Sequence, residues 1–202
     1  LRGSGGRWAA LLGLAFIVAL GIAILAIAPG MRQAGVEYTG ASSIPLPSEP
    51  TARRAYALAQ KEAHSWQPDI HLVGLSAHWR PVRGRWPTQT VWTAQFYSPA
   101  AGQIALIVVE GGQARRIQEM LALYTPATLA EEQWQVDSPK ALEIWWKHGG
   151  ERFLAGRAGV EVAARLQPAG PQDPSPVWSI TAVVGEQAYV VTIRATDGAV
   201  IP

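Results

Sequence analysis

Cysteine is absent from this chain of 202 residues. That excludes disulfides, thiolate catalysis, cysteine-ligated zinc and c-type haem attachment, so the fold must be held by its core alone. A large excess of one charge is missing too. Seventeen Lys and Arg against 15 Asp and Glu leave a net charge of +2, and so modest a basic excess speaks against a nucleic-acid partner. Recognisable catalytic constellations are also lacking. His64, His71 and His78 are seven apart, but an odd interval on a strand points His71 and His78 to opposite faces, and no carboxylate sits at a ligand-like interval. Gly74-Leu75-Ser76-Ala77-His78 has a histidine where a nucleophile elbow needs its second glycine, and it precedes no helix. Gly111-Gly112 and Gly149-Gly150 read as turn glycines, and Glu131, Glu132 and Asp137 as solvated carboxylates, Asp137 beside a helix N-terminus. The expectation is a protein that is not an enzyme, with no catalytic, cofactor-binding or metal-ligating residues.

What is present begins with an apolar run. Trp8 to Ala28 carries no charge over 21 residues, about 31 Å as a helix against a hydrocarbon core of about 30 Å. Only a helix satisfies its own backbone in lipid. Residues 1–28 therefore read as a short cytoplasmic tail and a transmembrane helix, a signal-anchor in contact with membrane lipid. Arg2 and Arg7 ahead of the run favour a single-pass, N-in/C-out placement in the cell membrane, with the soluble part extracytoplasmic. The competing reading is a cleaved secretory signal ending at Ala26-Ile27-Ala28; the length of the run and Pro29 stand against it. Ala15, Ala19 and Ala23, four apart, would allow self-association through the span.

Residues 29–50, from Pro29-Gly30 to Pro45-Leu46-Pro47-Ser48-Glu49-Pro50, read as an extended Pro-rich linker. Thr51 to Trp66 has helical periodicity, with Ala52, Tyr56, Ala59, Ala63 and Trp66 on one stripe and Pro68 as its stop. Strands follow at 69–79, 89–97 and 103–110, the last two as a hairpin. Residues 111–136 are the least legible, with Ile117 to Tyr124 readable as a strand or a short helix. The order then begins again. Ser138 as N-cap and Pro139 at the first helical position open a second helix, Gly149-Gly150 stops it, and strands are expected at 160–166, 177–184 and 188–195.

A shift of 86 residues lays Ala55 on Ala141, Val91-Trp92-Thr93 on Val177-Trp178-Ser179, Ile107 on Ile193 and Gly112 on Gly198. One ungapped shift joining helix, tryptophan strand and terminal glycine reads as two copies of a helix-then-three-strand unit. Asp137-Ser138-Pro139-Lys140-Ala141-Leu142-Glu143-Ile144, Gly149-Gly150, Trp178 and Ala195-Thr196-Asp197-Gly198-Ala199-Val200 carry the pattern best; the first copy, ending in Glu110-Gly111-Gly112, is more diverged. The unit resembles the PepSY family. That resemblance implies a cystatin-like α+β fold and a binding or inhibitory role, often towards peptidases, with no catalytic residues to carry over. The expected architecture is α+β: an N-terminal transmembrane helix followed by two helix-on-antiparallel-sheet units, the first at 51–117, a connector at 118–136 and the second at 137–202.

Charge is uneven along the chain. Eight Lys or Arg face three acids from Thr51 to Ile117, and six face ten from Gln118 to Pro202, so a basic copy adjoins an acidic one. Trp79, Arg80, Arg83, Arg85 and Trp86 concentrate hot-spot residue types on a Pro/Gly-broken loop, and Trp145-Trp146 form a second aromatic pair. These seven are the candidate partner-binding residues. The function expected is a membrane-anchored, non-enzymatic module that binds a protein or peptide outside the cytoplasm and regulates a peptidase or envelope enzyme. The alternative is an accessory structural subunit of a larger membrane protein complex.

Overall fold

A computed structural model describes residues 49–81 and 86–202. Four strands follow the first helix: β1 (His71–Trp79), β2 (Trp92–Ser98), β3 (Gln103–Glu110) and β4 (Gln113–Leu121). Four more follow the second: β5 (Glu161–Gly170), β6 (Asp173–Val184), β7 (Gln187–Arg194) and β8 (Val200–Ile201). All eight belong to a single sheet in the order β4-β3-β2-β1-β5-β6-β7-β8, and every neighbouring pair is antiparallel. The two separate helix-on-sheet units expected from the repeat are thereby corrected. The first strands of the copies, β1 and β5, pair with each other (Leu75 opposite Leu166, Ala77 opposite Ala164) and fuse the copies through one continuous ladder. The transmembrane helix expected at residues 8–28 lies outside the described residues. Among the described residues no helix is long and apolar enough to cross a membrane. The signal-anchor and the single-pass cell-membrane placement are corrected with it: the architecture shown is an eight-stranded antiparallel sheet with short helices and no spanning element among those residues.

The helices lie on one face of the sheet. Helix α1 (Ala52–Trp66) buries Ala52, Ala55, Ala59 and Ala63, a stripe at three- and four-residue spacing whose small side chains let the backbone approach the strands. Thr51 caps it by accepting from Arg54 N–H. Beneath it lie the alternate residues Trp92, Ala94 and Phe96 of β2 and Ile107 and Val109 of β3. Helix α2 (Ser138–Trp145) covers the second half with Ala141, Leu142 and Trp145 above Trp178, Ile180 and Ile193. Gly149-Gly150 does not stop this helix. The chain goes on through a π-helical turn at Trp146–Gly150 into α3 (Glu151–Leu154), and the break is confined to Gly149, at φ 134°. Gly149 and Gly150 leave room for neighbouring rings: a Cβ on Gly149 would stand 2.7 Å from the Tyr189 hydroxyl, and one on Gly150 2.8 Å from the Trp145 indole.

The helix starts are capped across the repeat. Asp137, not Ser138, is the N-cap of α2, and its carboxylate accepts from Ser138 N–H. The same Oδ1 accepts from Arg53 N–H of α1 at 3.1 Å, while the Ser138 hydroxyl accepts from Ala52 N–H at 2.9 Å. Two orphan donors of the first helix are thus satisfied by the start of the second. Trp92 donates its indole N–H to Pro50 O at 2.7 Å, and Trp178, 86 residues on, donates to Val136 O at 2.8 Å, again 86 residues on. The two indoles meet edge to face at 6.2 Å in the seam between the copies. The equivalence slips after the tryptophan strand. Val109 faces Trp92 and Ile193 faces Trp178, an offset of 84, because β6 and β7 are joined at Gly185-Glu186 whereas β2 and β3 need the four residues 99–102. An even slip keeps the inward face inward.

Strand β1 departs from simple alternation. A bulge between Leu72 and Gly74 turns Leu72, Leu75, Ala77 and Trp79 all towards the helices. It also puts His71, opposite Tyr97, on the same open face as His78, which is next but one to Ser76 opposite Thr93. The expectation that the two histidines face opposite ways is corrected; they share a face but stand about 20 Å apart along the strand.

Candidate interaction edge

The residues singled out for partner contact go to different places. Trp79 and Trp86 are buried, pack edge to face at 5.9 Å, and Trp79 donates its indole N–H to the Thr90 hydroxyl at 3.1 Å. Trp145 is fully buried and Trp146 half-buried against it, ring centroids 6.3 Å apart. Trp79, Trp86 and Trp145 are therefore core, which corrects their reading as partner-binding residues; of the second pair it is Trp146 that keeps an exposed side. Arg80 is exposed and pairs with Glu161 at 2.7 Å, a bridge from the basic copy to the acidic one that contributes little at such exposure. Arg83 and Arg85 lie outside the described residues.

The connector between the copies is a clasp. From β4 it runs along the ends of the strands, with Leu129 N–H donating to Leu72 O, Ala130 N–H to Pro174 O, and Val136 N–H to Ala195 O. Glu131 accepts from the Tyr56 hydroxyl and from Leu72 N–H. Burial first, and then the hydrogen bond to that carboxylate, push the Tyr56 phenol above its ordinary pKa, so it stays a neutral donor. Arg53 donates to Trp134 O and lies over the Trp134 ring at 5.0 Å. These contacts serve the fold, and their polar atoms are used up by it. The uncovered face of the sheet carries at its centre Thr93, Ser76, Arg165, Ser179 and Thr192 in one row across five strands, the polar composition of a solvated antiparallel face. Among the described residues no group of three or more His, Asp or Glu could hold a metal ion.

What the fold does not use is the β4 edge. Gly111 and Gly112, at φ 56° and 78°, make the two-residue hairpin turn whose central residues both need positive φ. That turn makes Glu110 and Gln113 a hydrogen-bonded pair, and alternation along β3 makes Val108 with Arg115, Leu106 with Gln118, and Ile104 with Met120 the next ones. A bulge at Ile117, between the pairs Ile107–Arg116 and Leu106–Gln118, changes the parity of β4 midway. Ala114 and Arg116 on one side of it, and Glu119 and Leu121 on the other, direct their N–H and C=O away from the sheet. Ala122 N–H donating to Gly102 O at 2.9 Å closes the same alternation at the far end. Beside Arg115, Arg116 and Glu119 this edge also exposes apolar side chains, Ile117 at 49% and Leu121 at 72%, and Leu123 at 85% and Tyr124 at 60% follow just past its end. Arg116 holds Glu119 at 3.0 Å, and Trp66 donates its indole N–H to the same carboxylate at 3.2 Å. The opposite edge is blunted, since β8 has two residues.

None of Ile117, Leu121, Leu123 or Tyr124 was among the residues expected to bind. The Gly111-Gly112 dipeptide, after a strand and before alternating residues, was the signal for this hairpin.

No family model matches this chain, and no curated protein does. Among solved structures it is similar to a protein of Clostridium difficile 630 described as a candidate lipoprotein, at 12% identity and a TM-score of 0.48, over 78% of this chain and 95% of that one. A likeness at that level carries no argument.

Proposed function

We propose that the protein is a non-catalytic binding module that takes up an extended segment of another polypeptide at β4, adding a strand to its sheet. The observation that supports this is the nine-residue edge strand β4, with outward backbone groups at Ala114, Arg116, Glu119 and Leu121 and exposed apolar side chains at Ile117, Leu121, Leu123 and Tyr124. Such an edge is a template for pairing, and β4 has neither a proline nor the short length that would blunt it. Main-chain hydrogen bonds would supply affinity and the exposed side chains selectivity. The scaffold suits the task, because the continuous ladder and the clasped connector hold β4 against a rigid sheet.

The test uses a displayed library of random linear peptides selected on the full chain. Selected peptides are expected to read as extended segments with alternating apolar residues. They should bind at least about tenfold more weakly to an Ile117→Lys/Leu121→Lys variant, a loss of about 1.4 kcal/mol. Peptides that bind wild type and variant alike would remove β4 as the site.

A further inference from the structure

We infer that the strand taken up at this edge is β4 of a second copy of the chain, paired antiparallel about a twofold axis between Ile117 and Gln118; this rests on the strand-addition reading above. In an unbroken strand, residues of like parity point the same way, so an antiparallel self-pairing joins residues whose numbers differ by an even interval. The bulge at Ile117 changes that rule for β4. Its outward residues are Ala114, Arg116, Glu119 and Leu121, and one register alone pairs all four with one another: Ala114 opposite the partner's Leu121, and Arg116 opposite the partner's Glu119. The two bulges then face each other across the axis, and the ladder stays in phase on both sides of it.

The side chains agree with this register. Arg116 and Glu119 stand opposite Ile107 and Ala105 of β3, both directed to the helix-bearing face, so across the axis they present opposite charges on one face, twice. Arg116 Nη1 is buried and has no hydrogen-bond partner among the described residues, while its Nε is used by its own Glu119. Ile117 from each copy gathers at the axis, and Leu121 gains Ala114 as a cover. The chain already contains one junction of this kind, because β1 and β5 pair antiparallel with Ser76 opposite Arg165, the residues that stand beside Thr93 and Ser179 in their own copies, so the two strands meet about a local twofold.

The experiment is sedimentation of the full chain over a range of concentrations, for wild type, Arg116→Glu, Glu119→Arg and the double variant, with a thermal melt of each. Wild type should dimerise reversibly. Each single reversal sets like charges opposite each other and should raise the dimer dissociation constant about tenfold or more, a change of about 1.4 kcal/mol. The double variant restores opposite charges and should return most of the affinity. Each single reversal also breaks the intrachain Arg116–Glu119 pair, and Glu119→Arg removes the acceptor of Trp66, so the melts serve to show that every variant is folded under the conditions of sedimentation. Leu121→Lys, 72% exposed in the single chain and so without consequence for its fold, should weaken the dimer as well. A wild type that stays monomeric, single reversals without effect, or a double variant no better than the singles would each overturn the pairing. If the wild type is monomeric yet library peptides still bind β4, the second-copy proposal fails while strand addition stands.

Discussion

Trp92 and Trp178 occupy equivalent places, and replacing each by phenylalanine separates the contribution of a ring from that of its indole N–H. Both are essentially fully buried, at 1% and 0% exposure, and each packs against the other at 6.2 Å. The loss of ring volume should therefore cost the two sites about the same. Their acceptors differ. Val136 O receives Trp178 at 2.8 Å and also Trp134 at 2.7 Å, so Trp178→Phe leaves it one donor. Pro50 O receives Trp92 at 2.7 Å and loses its side-chain donor in Trp92→Phe. A partly buried acceptor left unsatisfied costs about 1–3 kcal/mol, and Pro50 is half-buried, which places the excess near the low end. Trp92→Phe should thus be less stable than Trp178→Phe by about 1 kcal/mol, and the alanine variants should both fall at about 3–5 kcal/mol. Urea unfolding followed by far-ultraviolet circular dichroism measures this without relying on tryptophan emission. Equal losses, or a larger loss at Trp178, would refute the assignment of the difference to the second donor on Val136.

Two further outcomes follow from the fold. Gly150→Ala should destabilise by about 1–3 kcal/mol, the range for overpacking a filled core, because its Cβ would meet the immobile Trp145 ring at 2.8 Å; an unchanged urea midpoint would show that the ring yields freely. Acid should weaken the protein. The Ser98 hydroxyl, then Ala100 N–H, hold Asp69 below its ordinary pKa, the Ser175 hydrogen bonds do so for Asp173, and Ala199 N–H does so for Asp197. A carboxylate depressed in the folded state contributes stability that is complete above its unfolded pKa of about 3.9 and is lost as pH falls through the folded value. The urea midpoint should fall first as pH drops below about 6.5, because burial holds His78 below its ordinary pKa and the unfolded chain takes up that proton first. It should fall again below about pH 4, where Asp69→Asn should flatten the drop; a midpoint rising on acidification would contradict it.

The local elements and their duplication were legible in the order of residues alone. Helix Ala52–Trp66 was legible because alanines recur at helical spacing before Pro68, and strands β2 and β3 because apolar and β-branched residues alternate around a turn. The 86-residue recurrence placed Trp92 and Trp178 in matching positions, down to their acceptors Pro50 and Val136. These signals are local, and period alone carries them. What each buried face would meet depended on long-range packing. Periodicity says that β1 and β5 are half-buried and is silent on their pairing, so one fused sheet and two separate units read alike. Caps made over 84 and 86 residues, by Asp137 and Ser138 on α1, leave no trace at a helix start that already has Thr51. Trp79 and Trp86 looked like contact residues because composition does not say which way an indole turns; Trp79 packs on Trp92 and Trp86 on Trp79, and both are turned inward. The β4 edge was hidden for a similar reason. Ile117, Leu121, Leu123 and Tyr124 have the character of core residues, and it is the strand order, with β4 outermost, that leaves them in solvent.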